Sequence, residues 1–127
     1  MARMTNSELN RYARSVWRTE NPRLFGGRLQ MPAFKIQALP EASGMWHHIG
    51  NPLRETISLD PKYCTTKIWT RIIVVHEMIH QLQAIQKSAR TIAEQHGRFF
   101  QHHIVRIVAT DITLFQLIST VPKWAKK

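Results

Sequence analysis

The chain has 127 residues, with 18 Lys and Arg against 8 Asp and Glu, so its formal net charge is +10 at pH 7 and its isoelectric point is near 10.7. This length favours a single domain over residues 1–127, and the lone cysteine, Cys64, excludes both an intrachain disulfide and a cysteine-rich zinc ribbon. Because no apolar stretch has the length of a membrane span or the form of a signal-peptide core, we expect a cytoplasmic protein that is monomeric by default and has no membrane partner.

The first predicted element is a helix that begins after Thr5 or Asn6 and ends near Thr19. Either Thr5 or Asn6 can cap the helix through its side-chain oxygen, and Glu8 falls in the first turn, where a negative charge is favourable. The Asn21-Pro22 pair is predicted to end the helix, because the residue before a proline disfavours helical backbone angles.

Three arginines of this helix, Arg11, Arg14 and Arg18, fall within about 60 degrees of one another around the helix axis. The residues on the opposite face are apolar: Leu9, Ala13 and Val16. An arginine face on a chain with so large a positive charge favours contact with phosphates, so these residues are candidates for binding single- or double-stranded DNA without sequence preference. The alternative is an ordinary solvated face of an amphipathic helix.

Three strands are predicted after a turn at the Gly26-Gly27 pair. Apolar and polar residues alternate in Ala33–Ala38, and Gly44–Ile49 and Glu55–Leu59 have the length and bounding turn residues of further strands. Since each connection is short, we expect a three-stranded antiparallel sheet. With helices before and after this sheet, the sequence predicts an α+β domain.

The next element is a long predicted helix, from Lys67 to about Lys87, that contains the sequence His-Glu-Met-Ile-His at residues 76–80. Residues four apart lie one above the other on a helix, so His76 and His80 can bind one metal ion while Glu77 faces a water molecule bound to that ion. The surrounding residues are apolar on nearly every side, which is typical of a buried central helix. This pattern indicates a zinc hydrolase, whereas a core helix with two hydrogen-bonded histidines is the simpler alternative.

A catalytic zinc ion usually has three protein ligands, so a third must come from elsewhere in the chain. His96 opens a predicted helix that ends near Val108, and Glu94, His102 and His103 are rivals for the same role.

An apolar segment, residues 112–118, precedes Pro122 and a basic tail. We therefore expect a domain core over about residues 5–108, with a C-terminal helical segment and tail over residues 109–127.

These segments together resemble the SprT-like family, which includes the Spartan-type DNA-dependent metalloproteases. The resemblance depends on the H-E-x-I-H segment of the long helix, a later His-Gly-x-x-Phe segment at residues 96–100, the residues 21–29 before the first strand, and Ile-Ser-Leu at residues 57–59. It implies a minimal zincin-like domain in which His76, His80 and His96 bind one zinc ion and Glu77 is the general base. Relatives often have Ala in place of Gln81, a difference that we expect to matter little.

The same resemblance implies a zinc-dependent endopeptidase that acts on DNA-associated proteins. The alternative is a non-catalytic protein, either a basic nucleic-acid-binding module or a structural protein, that retains a zinc site.

Two further expectations concern side chains. The oxyanion beside the zinc ion could be stabilised by Tyr63, His103 or an arginine, and five aromatic residues are predicted to lie in the core: Trp46, Trp69, Phe99, Phe100 and Phe115.

Overall fold

In the computed structural model, residues 3–50, 54–86 and 96–120 are described. The helices and strands in chain order are α1 (Asn6–Phe25), β1 (Ala33–Ile36), β2 (Gly44–Ile49), β3 (Arg54–Leu59), α2 (Lys67–Gln86), α3 (Arg98–Thr110) and a C-terminal 3-10 segment (Ile112–Thr120). The predicted α+β class is confirmed. None of the helices within these ranges combines the length and the apolar character that crossing a membrane requires.

The first helix begins as predicted but ends later than predicted. Thr5 caps it: its hydroxyl accepts a hydrogen bond from the backbone N–H of Glu8 at 3.1 Å, and the Glu8 carboxylate accepts one from the backbone N–H of Thr5 at 2.9 Å. The predicted end at Asn21-Pro22 is wrong, since α1 continues through Pro22 to Phe25. A proline inside a helix costs about 3 kcal/mol. Burial of Leu24 and Phe25 in the last turn offsets that cost, at about 1.5–3 kcal/mol each.

The sheet is mixed, so the predicted antiparallel sheet is wrong. Its strand order is β1-β3-β2, in which β2 pairs antiparallel with β3 and β1 pairs parallel with β3. Residues 37–43 run from β1 past the end of β3: the backbone N–H of Gln37 donates to the Leu59 carbonyl, and the N–H of Asp60 donates to the Ser43 carbonyl. The chain therefore turns between β1 and β2, as predicted. These two strands do not pair with each other, however, because β3 lies between them.

The long helix α2 is the centre of the fold, as its apolar surroundings predicted. It contacts α1, β2, β3, α3 and the 3-10 segment, and all eight residues from Ile72 to Ile79 are buried. Gln81 is also fully buried; its side chain accepts a hydrogen bond from the Trp17 indole N–H at 3.0 Å and donates one to the Gln30 carbonyl at 2.7 Å. The glutamine thus joins α2 to α1 and to the chain before β1, a role that the sequence did not predict.

The C-terminal elements are fixed to the rest of the molecule by a group of ion pairs. Arg23 of α1 and Arg71 of α2 both contact the carboxylates of Glu20 and Asp111, at distances of 2.6–3.1 Å. Hydrogen bonds from Thr113 and both arginines hold the pKa of Asp111 well below its usual range. Since Asp111 lies between α3 and the 3-10 segment, these ion pairs fix where that segment begins.

Two of the five aromatic residues predicted to lie in the core are exposed instead. Phe100 is fully buried, and Trp46 and Phe99 pack against the core. Trp69 is 39% exposed and Phe115 is 52% exposed, so the prediction is wrong for these two residues. In a 3-10 segment the side chains repeat every three residues. Burial of Leu114 and Leu117 therefore turns Phe115 toward solvent.

Candidate metal centre

The structure brings together the three histidines that the sequence singled out. One turn of α2 presents His76 and His80, and His96, two residues before α3, approaches them from the other side. The Nε2 atoms of the three imidazoles form a triangle in which each side is 3.2 Å long. His76 is 9% exposed, while His80 and His96 are half-buried, so the triangle lies at the inner end of an opening to solvent.

The size of this triangle matches one small cation. Three nitrogen atoms that bind a zinc ion tetrahedrally at about 2.0–2.1 Å lie about 3.3 Å from one another. No other set of three such ligand residues was found in the described part of the chain. The residues present therefore fit a single metal ion bound by three imidazoles, with one position open to solvent.

The other nitrogen of two of these imidazoles has a hydrogen-bond partner. The Nδ1 of His76 lies 2.7 Å from the hydroxyl oxygen of Thr120, and the Nδ1 of His80 lies 2.7 Å from the Oε1 of Gln83. When Nδ1 donates its hydrogen to an oxygen, Nε2 is left with a lone pair. Two lone pairs that face each other at 3.2 Å repel unless a cation lies between them, which is a second reason why the site fits a metal ion.

Burial favours the neutral, metal-binding form of all three histidines. It lowers the pKa of His76 well below the usual value, with smaller contributions from the neighbouring His80 and His96. Burial likewise lowers the pKa of His80 to about 4 and lowers the pKa of His96. At neutral pH the three rings are thus uncharged, and metal binding does not have to displace a proton from them.

Glu77 lies beside the histidine triangle and is held by the sheet. One carboxylate oxygen accepts a hydrogen bond from the backbone N–H of Trp46 in β2 at 3.0 Å, and the other lies 3.8 Å from the Nε2 of His76. Burial raises the pKa of the Glu77 carboxyl to about 8, although the Trp46 hydrogen bond opposes this rise. A cation bound by the three histidines would oppose this rise, because a nearby positive charge favours the ionised carboxylate that a general base requires.

The contact between β2 and Glu77 depends on Gly44, which the sequence analysis did not single out as a site residue. A Cβ atom at this position would lie 2.6 Å from the Cγ2 of Ile73, 3.3 Å from the Cγ of Glu77 and 3.4 Å from its Oε2. Glycine within a strand often marks a close approach of this kind, so its place at the start of the predicted strand was the available signal.

We therefore expect Gly44→Ala to destabilise the protein by about 1–3 kcal/mol, because the added methyl group overpacks the contact between β2 and α2. Urea unfolding measures this change. Removing the colliding methyl group with Ile73→Ala tests the cause: in a double-mutant cycle, Gly44→Ala should cost less in the Ile73→Ala background than in the wild type. Equal costs in the two backgrounds would contradict the steric explanation.

Two of the three rivals for the third ligand, His102 and His103, do not lie at the site. His103 is buried elsewhere, where its Nδ1 accepts a hydrogen bond from the Arg106 guanidinium at 3.1 Å, and His102 is exposed. Neither lies in the histidine group, while Glu94 lies outside the described residues. Tyr63 and His103, the named candidates for stabilising an oxyanion, are not among the residues that line the opening beside the triangle.

That opening is a cleft of about 630 Å³ between the start of β2, the motif turn of α2 and the end of the 3-10 segment. Its walls include the exposed apolar side chains of Met45 and Trp69.

The predicted arginine face lies elsewhere: Arg11, Arg14 and Arg18 are exposed, whereas Leu9, Ala13 and Val16 on the other side of α1 are buried. The predicted division of α1 into two faces is confirmed, and DNA binding remains a prediction.

Comparison with known proteins gives an independent result. No curated protein sequence matches the chain. The model of the SprT-like family matches residues 11–121, which include the histidine triangle, Glu77, the sheet and the whole of the 3-10 segment. Because this match covers most of the chain, the protein belongs to the SprT-like family.

Proposed function

We propose that this protein is a zinc-dependent endopeptidase of minimal zincin-like architecture that acts on DNA-associated proteins. The observation that carries the proposal is the triangle of Nε2 atoms from His76, His80 and His96 with the carboxylate of Glu77 beside it. A structural zinc site is usually closed by four protein ligands and has no use for a carboxylate that is held near the metal without binding it. Membership of the SprT-like family supports a metallopeptidase.

Each residue has a chemical role in this proposal. A zinc ion held by the three histidines would lower the pKa of a water molecule to about 7 and polarise the scissile carbonyl. Glu77 accepts the proton of the attacking water and delivers it to the amine that leaves. The backbone N–H of Trp46 fixes the position of the carboxylate, so that its second oxygen stays on the side of the cleft.

The cleft is suited to a polypeptide substrate. Among the described strands β2 lies at the edge of the sheet, and its first residues form one wall of the cleft. The edge of a strand offers backbone donors and acceptors with which an extended peptide can pair. Met45 and Trp69 add apolar surface for substrate side chains.

The proposal is tested by measuring zinc content together with cleavage of a DNA-bound protein and of an unfolded protein, each with and without DNA. We expect one zinc ion per chain and cleavage that stops when a chelator removes the metal and resumes when zinc is restored. Cleavage that is faster with DNA supports the DNA-associated substrate class. A zinc-loaded protein that cleaves none of these substrates would instead favour the non-catalytic, nucleic-acid-binding alternative.

The DNA-related part of the proposal depends on the arginine face of α1. If Arg11, Arg14 and Arg18 each neutralise a phosphate, the logarithm of the binding constant falls with the logarithm of salt concentration by about 0.7–0.9 per contact. Replacing all three with Ser should therefore reduce the slope by about 2–3, without altering zinc content. Fluorescence anisotropy with a labelled duplex and a labelled single strand, at several salt concentrations, measures this slope.

A matched variant separates the arginine face from charge in general. Lys35, Arg54 and Lys62 are exposed and belong to the sheet and the turn after it, so changing these three to Ser removes the same charge from another part of the surface. We expect that variant to retain more of the salt dependence than the arginine variant does. Equal losses in the two variants would show that DNA responds to net charge alone, and no binding at low salt would refute the DNA-related proposal.

A further inference from the structure

The hydroxyl group of Thr120, the last described residue of the 3-10 segment, contacts a metal-site histidine from outside the triangle. Its oxygen lies 2.7 Å from the Nδ1 of His76 and 2.7 Å from the carbonyl oxygen of Leu117. A carbonyl can only accept a hydrogen bond, so the single hydroxyl proton is directed to Leu117. The hydroxyl oxygen must then accept the Nδ1–H of His76, which leaves the Nε2 of His76 with its lone pair.

We propose that Thr120 is a positioning residue that holds His76 in its metal-binding tautomer and orientation, and that metal binding and docking of the 3-10 segment stabilise each other. The inference rests on the metal site of the proposed function but not on peptidase activity. Partners of the outer nitrogen of a metal-binding histidine fix the tautomer and the ring plane, and their loss typically weakens metal affinity by 10–100-fold.

The position of Thr120 is itself fixed by contacts on the inner side of the 3-10 segment. Leu114 and Leu117 are fully buried, and the Arg71 guanidinium donates to the Thr113 hydroxyl at 2.9 Å and to the Asp111 carboxylate at 2.7 Å. The segment therefore lies against α2, the helix that carries His76. Because the segment is constrained in this way, the Thr120 hydroxyl does not move with the His76 imidazole. It holds that imidazole in one orientation.

A thermodynamic consequence follows for the segment. If docking of residues 112–120 increases metal affinity by some factor, metal binding increases the docking equilibrium by the same factor. We therefore expect zinc to slow backbone amide exchange in residues 112–120. This slowing should be reduced when the Thr120 hydroxyl is removed.

The experiment compares zinc affinity, by competition with a chromophoric chelator, among Thr120→Val, Thr120→Ser and the wild type. We expect Thr120→Val to bind zinc 10–100-fold more weakly, and Thr120→Ser to restore the affinity to within about threefold, because serine retains the hydroxyl. The visible absorption bands of the cobalt-loaded protein should change in Thr120→Val and not in Thr120→Ser. As a control, Thr110→Val removes a similar hydroxyl that donates to the Arg106 carbonyl on exposed surface, and it should leave both readouts unchanged.

The outcomes separate this inference from the proposed function. A wild type that binds no zinc overturns both the proposed function and this inference. Equal zinc affinities of Thr120→Val and the wild type overturn only the role of Thr120. Equal weakening by the valine and serine variants also overturns it, because retaining the hydroxyl in serine would then give no advantage. If Thr120→Val does not fold, Thr120→Ala compared with Thr120→Ser decides by the same criterion.

Discussion

Replacing Glu77 with Gln is expected to lower peptidase activity by at least about 10²-fold while zinc content and fold remain unchanged. The amide cannot accept a proton from water, and general-base catalysis contributes about 10²–10⁴-fold to a reaction rate. The substitution preserves side-chain volume, and its amide oxygen can still accept the hydrogen bond from the backbone N–H of Trp46. Cleavage rates at saturating and limiting substrate, together with zinc analysis and circular dichroism, measure the effect.

A matched control is available in Glu55→Gln. The Glu55 carboxylate also accepts a hydrogen bond from Trp46, from the indole N–H at 2.9 Å, so this variant makes the same chemical change on a second carboxylate beside the same tryptophan. We expect its activity to stay within a few-fold of the wild type. Similar activity in Glu77→Gln and the wild type would remove Glu77 from the proposed mechanism and require another base.

Replacing any one of His76, His80 and His96 with Ala is expected to abolish stable zinc binding. Each supplies one corner of the nitrogen triangle, and two imidazoles do not complete a zinc site. Metal that binds only the folded protein stabilises it by about 2.7 kcal/mol at a hundred times its dissociation constant. For a chain of this size we expect zinc to raise the melting temperature of the wild type by on the order of 10 °C, and that of the variants by little.

Elemental analysis after dialysis and melting curves with and without zinc test this expectation. His102→Ala is the matched control, because it removes an exposed imidazole from α3, the helix that begins two residues after His96. It should retain the full response to zinc. Full zinc occupancy in His96→Ala would contradict the assignment and make Glu94, which lies outside the described residues, the third ligand to test next.

The sequence determined those features that depend on neighbouring residues. The spacing of His76 and His80 places their side chains on one face of a helix whatever surrounds it, because the helical repeat alone sets that geometry. The same holds for the cap at Thr5, and for the exposed and buried faces of α1. The choice of His96 as the proposed third ligand followed from a family resemblance and not from periodicity, since spacing alone left Glu94 and His103 open.

Only the tertiary structure decided which distant segments meet. The placement of β3 between β1 and β2, the close approach at Gly44 and the contact of Thr120 with His76 join residues far apart in the chain. No local pattern encodes such pairings, because they depend on how α2 packs against the sheet and the 3-10 segment. Local preference was also overruled at Pro22, where burial of the next turn outweighs the helix-breaking tendency of proline.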